Sequence, residues 1–164
     1  MKVKDIARLA IVSALYVALT YALGFLSYGD IQFRIAEILV LLCFFRKDST
    51  ISLTVGCLIA NLFSPMGIYD VIFGTIATLL SCLCVCFLPN IFLCIIPPVV
   101  FNGVIVGLEL HYILELPFVA SMISVAIGEA AVMVIGAFIF FFLKKKKGFM
   151  KVLCANQHVE FEEE

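Results

Sequence analysis

Between Leu9 and Leu143 the chain runs through 135 residues with only three basic side chains, Arg34, Arg46 and Lys47, and seven acidic ones, Asp30, Glu37, Asp48, Asp70, Glu109, Glu115 and Glu129. A soluble domain carries charge on about a quarter of its residues. So sparse a distribution leaves too little polar surface to face water, and it marks a body embedded in a membrane. The whole chain agrees, at 64% hydrophobic and 14% charged residues. Eleven Lys and Arg against twelve Asp and Glu leave a net charge of -1, so no global field recommends nucleic acid as a partner.

A spanning helix needs about 20 mostly apolar residues, whereas a barrel strand needs about 10 with alternating character. The apolar runs here are continuous, which predicts helices. They are broken at Tyr28 to Gln32, Arg46 to Thr50, Ser64 to Gly67, Leu88 to Asn90 and Glu115 to Pro117, each break holding charge, Gly or Pro. Six segments result: Ile6 to Leu26, Ile35 to Phe45, Ile51 to Phe63, Ile68 to Leu88, Ile91 to Leu114 and Phe118 to Leu143. The expected fold is an all-α membrane protein, a compact bundle of six transmembrane helices. The second and third segments are short; a re-entrant hairpin would sink Arg46-Lys47-Asp48 into the bilayer at about 2.5–3.5 kcal/mol or more per charge, which favours two short spans.

If the six segments alternate, Lys2, Lys4, Arg8, Arg46, Lys47 and Lys144 to Lys147 share one side, cytoplasmic by the positive-inside rule. Both termini are then cytoplasmic in a plasma-membrane protein, and five further apolar segments favour a retained first span over a cleaved signal peptide. Residues 1–147 read as one transmembrane domain and 148–164 as a short disordered tail. The seven cysteines contain no C-x-x-C pair and His111 and His158 stand apart, so neither a metal nor a cofactor is expected.

The polar residues are not spread evenly. Gln32, Arg34 and Glu37 fall where the first segment gives way to the second, Asn61 closes the third, Asp70 opens the fourth and Glu109 lies near the end of the fifth. All these boundaries face outward, with Asn102 and Glu129 deeper. Together they predict a polar cup open to the outside, rimmed by Tyr28, Phe33, Tyr69 and Tyr112. Ionisable groups in a bilayer are costly and mark cavities, partners or substrates. Structural readings stand beside this one: Arg34 and Glu37, three apart, are able to neutralise each other, Asn61 to bridge helices, and Glu109 to sit solvated at the interface. Glu129 has no basic neighbour in sequence. Acid exceeds base in the cup, which suits a neutral or cationic ligand rich in hydrogen-bond donors.

Ala10, Ala14, Ala18 and Ala22 recur every fourth residue along the first helix, and small residues at that spacing let another helix approach closely. The face serves either internal packing or docking on a separate membrane protein. Gly103 and Gly107 offer a second close approach, expected within the bundle.

Six helices in under 170 residues, an alanine stripe and an outward polar cup resemble the substrate-binding S component of an energy-coupling factor transporter. The stretch Ile31-Gln32-Phe33-Arg34-Ile35-Ala36-Glu37, the run Gly56 to Asn61, Pro65-Met66-Gly67 followed by Asp70, Pro97-Pro98 followed by Asn102-Gly103 and Gly107-Leu108-Glu109, and Gly128-Glu129 are similar to the queuosine-precursor transporter family of QueT type. The resemblance implies import of a 7-deazaguanine base, such as the 7-aminomethyl or 7-cyano form. It also implies a membrane T component and two ATPase subunits as partners, docking on the alanine face. In that setting Glu129 or Glu37 is suited to the ring N–H and exocyclic amine, Asn102, Gln32 or Asn61 to the carbonyl, and Asp70 to an aminomethyl cation.

The chain itself has no G-x-x-x-x-G-K-[ST] sequence and no nucleophile beside a base, so it is not expected to be an enzyme. The competing readings are a proton-coupled secondary transporter using Glu129 and Asp70, and an S component for another vitamin.

Overall fold

A computed structural model describes residues 3–23 and 34–153 of the chain. Asp30 and Gln32, with Tyr28 and Phe33 of the expected rim, lie outside the described residues. Every regular element among the described residues is helical. In chain order they are α1 (Val3–Ala22), a 3₁₀ segment (Ile35–Leu41) running directly into α2 (Leu42–Phe45), α3 (Ser49–Asn61), α4 (Ile68–Val85), a 3₁₀ turn (Leu93–Ile95), α5 (Ile96–Leu114), α6 (Phe118–Leu143) and α7 (Lys147–Leu153).

Four of these helices, α1, α4, α5 and α6, are long and apolar enough to cross a membrane. The segments 35–45 and 49–61 are apolar but shorter, as expected for them, so four of the six expected spans are met by length and composition. Their lengths are nonetheless matched. A 3₁₀ helix rises about 2.0 Å per residue against about 1.5 Å for an α-helix, so 35–45 reaches about 20 Å, as do the 13 residues of α3.

Contacts at the two ends establish the path. At one end Arg46 binds Asp48 at 2.5 Å and Asp5 at 3.4 Å, and Arg8 reaches Asp48 at 3.5 Å. The Arg46–Asp48 turn therefore sits beside the start of α1 rather than inside the bundle. At the other end Arg34 meets Asn61, and Asn61 reaches the backbone of Asp70. Successive segments thus run antiparallel between a charged base and a polar head.

The boundaries depart from expectation where local chemistry intervenes. Pro97 and Pro98 fit only the first turn of an α-helix, so α5 begins at Ile96 and the residues before it wind as a 3₁₀ turn. The tail beyond Lys147 was expected to be disordered. Its first residues instead form α7, with Met150 and Leu153 buried, Phe149 edge-on to Phe45 and Phe140, and the Leu153 carbonyl accepting a bond from Arg46 at 3.1 Å.

The bundle is inverted relative to a soluble protein. Ile11, Ile76, Val104, Ile127 and Phe138 are exposed on the outside of the long helices, while Glu37, Asn61, Asp70, Asn102, Glu109 and Glu129 are buried. That is the arrangement of a membrane protein, whose outer solvent is hydrocarbon. Glycines bring the helices together. A Cβ on Gly107 would lie 2.9 Å from Met122 Cα, one on Gly103 3.2 Å from Ala126 Cβ, and one on Gly56 3.0 Å from Tyr16 Cβ. The Gly103 and Gly107 pair is internal to the bundle, as expected.

Gly107→Leu should therefore force α5 from α6, destabilising the protein by about 1–3 kcal/mol or more. Gly148→Ala, where nothing lies within 4 Å, should leave the unfolding temperature in detergent unchanged. Equal melting of the two variants would contradict this packing.

Candidate functional site

The polar head is assembled from five parts of the chain. The start of the 3₁₀ segment supplies Arg34 and Glu37, the end of α3 Asn61, the start of α4 Asp70, the inner face of α5 Asn102 and Glu109, and the middle of α6 Glu129. Glu37, Asn61 and Glu109 are 0% exposed, and Arg34, the most exposed of the seven, is at 6%. The cup expected to open outward is thus a buried layer. Glu109, which had a reading as a solvated interface residue, is enclosed.

Asn61 is the junction of one half of the layer. Its Oδ1 accepts from Arg34 Nη2 at 2.6 Å, and its Nδ2 donates to the Asp70 carbonyl at 2.9 Å and approaches Cys57 Sγ at 3.3 Å. Gly74 makes the room for this, because a Cβ there would stand 2.7 Å from Asn61 Nδ2 and 3.2 Å from Arg34 Nη1. Gly67 opens α4 with φ 60 and ψ -125, a backbone that favours glycine. It sets Asp70 where the Ser64 hydroxyl donates to its Oδ2.

Glu37 belongs to a different set of partners. Its Oε1 accepts from the Tyr16 hydroxyl at 2.5 Å and from Thr78 Oγ1 at 2.9 Å. Arg34 and Glu37 are therefore not a closed pair, although they are near enough for their charges to interact. Tyr16 and Thr78 were not singled out from sequence. The signal for them was slight, a lone tyrosine between alanines in α1 and one hydroxyl within an apolar helix.

A large part of the layer's hydrogen-bonding capacity is unused. Among the described residues no hydrogen-bond partner meets Glu37 Oε2, Glu129 Oε1, either polar atom of the Asn102 amide, or Arg34 Nη1. Glu109 adjoins the Asp70 carboxyl and lies within Coulombic range of Arg34, while Glu129 lies within range of Glu37 and Arg34. Buried polar groups are almost always satisfied, and a carboxylate left bare in a low-dielectric interior costs several kcal/mol. Apart from Glu109, whose carboxyl pairs with that of Asp70, the open positions comprise three acceptor oxygens and two donor nitrogens. They call for a ligand that chiefly donates.

Away from the layer, Ala10, Ala14, Ala18 and Ala22 are all exposed. They lie along the part of α1 turned away from α3, to which Ser13 and Tyr16 face Gly56. α1 is the least buried long helix, at 11% of its span against 39% or more for the other three. The described residues contain no cluster of His, Cys, Asp and Glu able to hold a metal ion.

Residues 6–145 match the family model described as QueT transporter. The queuosine precursor transporter QueT of Lactococcus lactis subsp. cremoris (strain MG1363) is 37% identical, over 88% of this chain and 95% of the relative. No solved structure matches.

The Arg34–Asn61 pairing carries a prediction about stability. Asn61→Ala strips a buried guanidinium of its acceptor and should cost about 2–3 kcal/mol in reversible unfolding. Asn102→Ala breaks no hydrogen bond among the described residues and should cost about 1 kcal/mol or less. The opposite ranking would contradict the division between structural and open polar groups.

Proposed function

The chain belongs to the QueT transporter family, and from that premise we propose that it is the substrate-capture component of an energy-coupling factor importer, taking up a 7-deazaguanine precursor of queuosine. Membership of a transporter family accords with the non-enzymatic reading of the sequence. A membrane T component and two ATPases would supply the energy, since the chain has no nucleotide-binding sequence of its own.

The observation that carries the substrate is the inventory of open positions in the buried layer. A guanine-like edge presents a ring N–H beside an exocyclic amine, and one carboxylate accepts both. Glu37 Oε2 and Glu129 Oε1 are open, one oxygen on each carboxyl, so here the two groups would divide that pair of donors between them. The base offers one prominent acceptor, its carbonyl, and the open donors are Asn102 Nδ2 and Arg34 Nη1. An aminomethyl cation would complement Asp70 and Glu109, whose carboxyls adjoin one another. An adenine-like edge reverses this pattern and would set its ring acceptor against a carboxylate.

The architecture supports the rest of the reading. Segments 35–45 and 49–61 complete six passes, with Arg8, Arg46 and Lys144 to Lys147 on the cytoplasmic side together with both termini. The exposed face of Ala10, Ala14, Ala18 and Ala22 would dock on the T component, and loosely buried α1 is the helix to present it. Substrate closes the layer by binding the closed state better than the open one.

Calorimetry on the purified chain tests the substrate. 7-Aminomethyl- and 7-cyano-7-deazaguanine should bind, while adenine, thiamine and riboflavin should not; preferential binding of a vitamin would overturn the assignment. Glu129→Gln should weaken binding by about tenfold or more without lowering the unfolding temperature. Ala14→Leu should leave binding intact and abolish uptake by the assembled transporter. Uptake driven by a proton gradient in vesicles lacking ATPases would instead favour the secondary-transporter reading, with Asp70 and Glu109 sharing the proton.

A further inference from the structure

α1 carries two things that no other helix combines. Its outer side bears the exposed alanines, and its inner side sends one hydroxyl into the polar layer, where Tyr16 donates to Glu37 Oε1 at 2.5 Å. Tyr16 is 1% exposed, and its Cβ stands 3.0 Å from where a Cβ on Gly56 would lie, so its ring is fixed by the α1–α3 contact. One turn earlier, Ser13 Oγ donates to the Ser52 carbonyl at 2.7 Å. The helix is otherwise lightly buried. Its orientation therefore depends on a few polar links, of which Tyr16–Glu37 reaches the open layer.

The other side of the same carboxylate explains why this link matters. Oε1 accepts from both Tyr16 and Thr78, and Oε2 meets no partner among the described residues. Two O–H donors on one oxygen fix the plane of the carboxylate and leave the second oxygen as the point where a substrate donor can enter. A carboxylate held in this way is oriented before the substrate arrives, so less ordering is lost on binding. On Glu129 it is Oε1 that meets no hydrogen-bond partner among the described residues.

We propose that Tyr16 is a positioning residue that holds the Glu37 carboxylate with Oε2 turned to the substrate, and so joins occupancy of the substrate layer to the orientation of the docking helix α1. This rests on the substrate-capture reading above. When a substrate donor binds Oε2, the carboxylate is drawn toward it, and the tyrosine hydroxyl transmits the change to α1. Thr78 holds the same oxygen but belongs to α4, which lacks the alanine face. The two hydroxyls therefore share the first task, and only Tyr16 performs the second.

Tyr16→Phe and Thr78→Val separate the two tasks, because each removes one donor from the same oxygen and keeps the shape of the side chain. Binding of 7-aminomethyl-7-deazaguanine to each purified variant, and its uptake by each variant assembled with the T component and ATPases, are the measurements. Both variants should bind about tenfold more weakly, raise the KM for uptake by a similar factor, and melt near the wild-type temperature. Tyr16→Phe should in addition lower the maximal uptake rate at least fivefold further than Thr78→Val does. Unchanged binding by Tyr16→Phe would overturn the positioning role, and equal maximal rates would overturn the link to α1. A wild-type chain that binds no deazaguanine would instead overturn the substrate reading, and this inference with it.

Discussion

The burial of carboxyl and amide groups inside a helical bundle whose outer solvent is hydrocarbon governs the rest of this structure. A charge withdrawn from water recovers its hydration only from well-placed partners. In most of the molecule those partners are present. Arg34 has Asn61, and at the base Arg46 and Arg8 have Asp5 and Asp48. On Glu37, Asn102 and Glu129, acceptor oxygens meet no partner among the described residues, on three helical segments at once. Among the described residues the open carboxyl and amide groups all lie on inner faces of the bundle, and that is the physical basis for proposing a substrate there.

The shape of the fold follows from bringing those groups together. The 3₁₀ segment is the hub, packing on α1, α3, α4 and α6. It sits close to α6 because a Cβ on Gly136 would fall 3.0 Å from Ile38. Gly74 does the same for the Arg34 guanidinium on α4. Small residues at these crossings matter more than they would in water, since helix association in lipid relies on close van der Waals contact and hydrogen bonds. The segment 35–45 lies inside, while α3 and the long helices present apolar sides outward, α3 through Ile51, Val55 and Leu58.

Much of this was legible in the sequence because lipid imposes coarse and strong rules. The breaks at Arg46 to Thr50, Ser64 to Gly67 and Glu115 to Pro117 separate elements where charge, Gly and Pro demand it. The structure buries Arg34, Glu37, Asn61, Asp70, Asn102, Glu109 and Glu129 within the bundle, with Asn102 and Glu109, seven residues apart on one helix, about 10 Å from each other along it. What sequence could not carry was partnership. A spacing of three allowed Arg34 to neutralise Glu37, yet the guanidinium turns to Asn61, 27 residues away, and the carboxylate to Tyr16, 21 away. Hydroxyls such as those of Tyr16 and Thr78 leave hardly any trace in hydropathy. The fold of α7 was also hidden, because its lysine-rich start reads as solvated while Met150 and Leu153 pack beneath it.

The central claim is that the open acceptors are filled by a donor-rich small molecule. Native mass spectrometry of the chain released gently from its own membranes, followed by identification of the small molecules that dissociate from it, tests this most directly. The account predicts one 7-deazaguanine base per chain, lost when Glu37 and Glu129 are both replaced by Gln. A chain that leaves the membrane empty, or that carries only lipid, would contradict it.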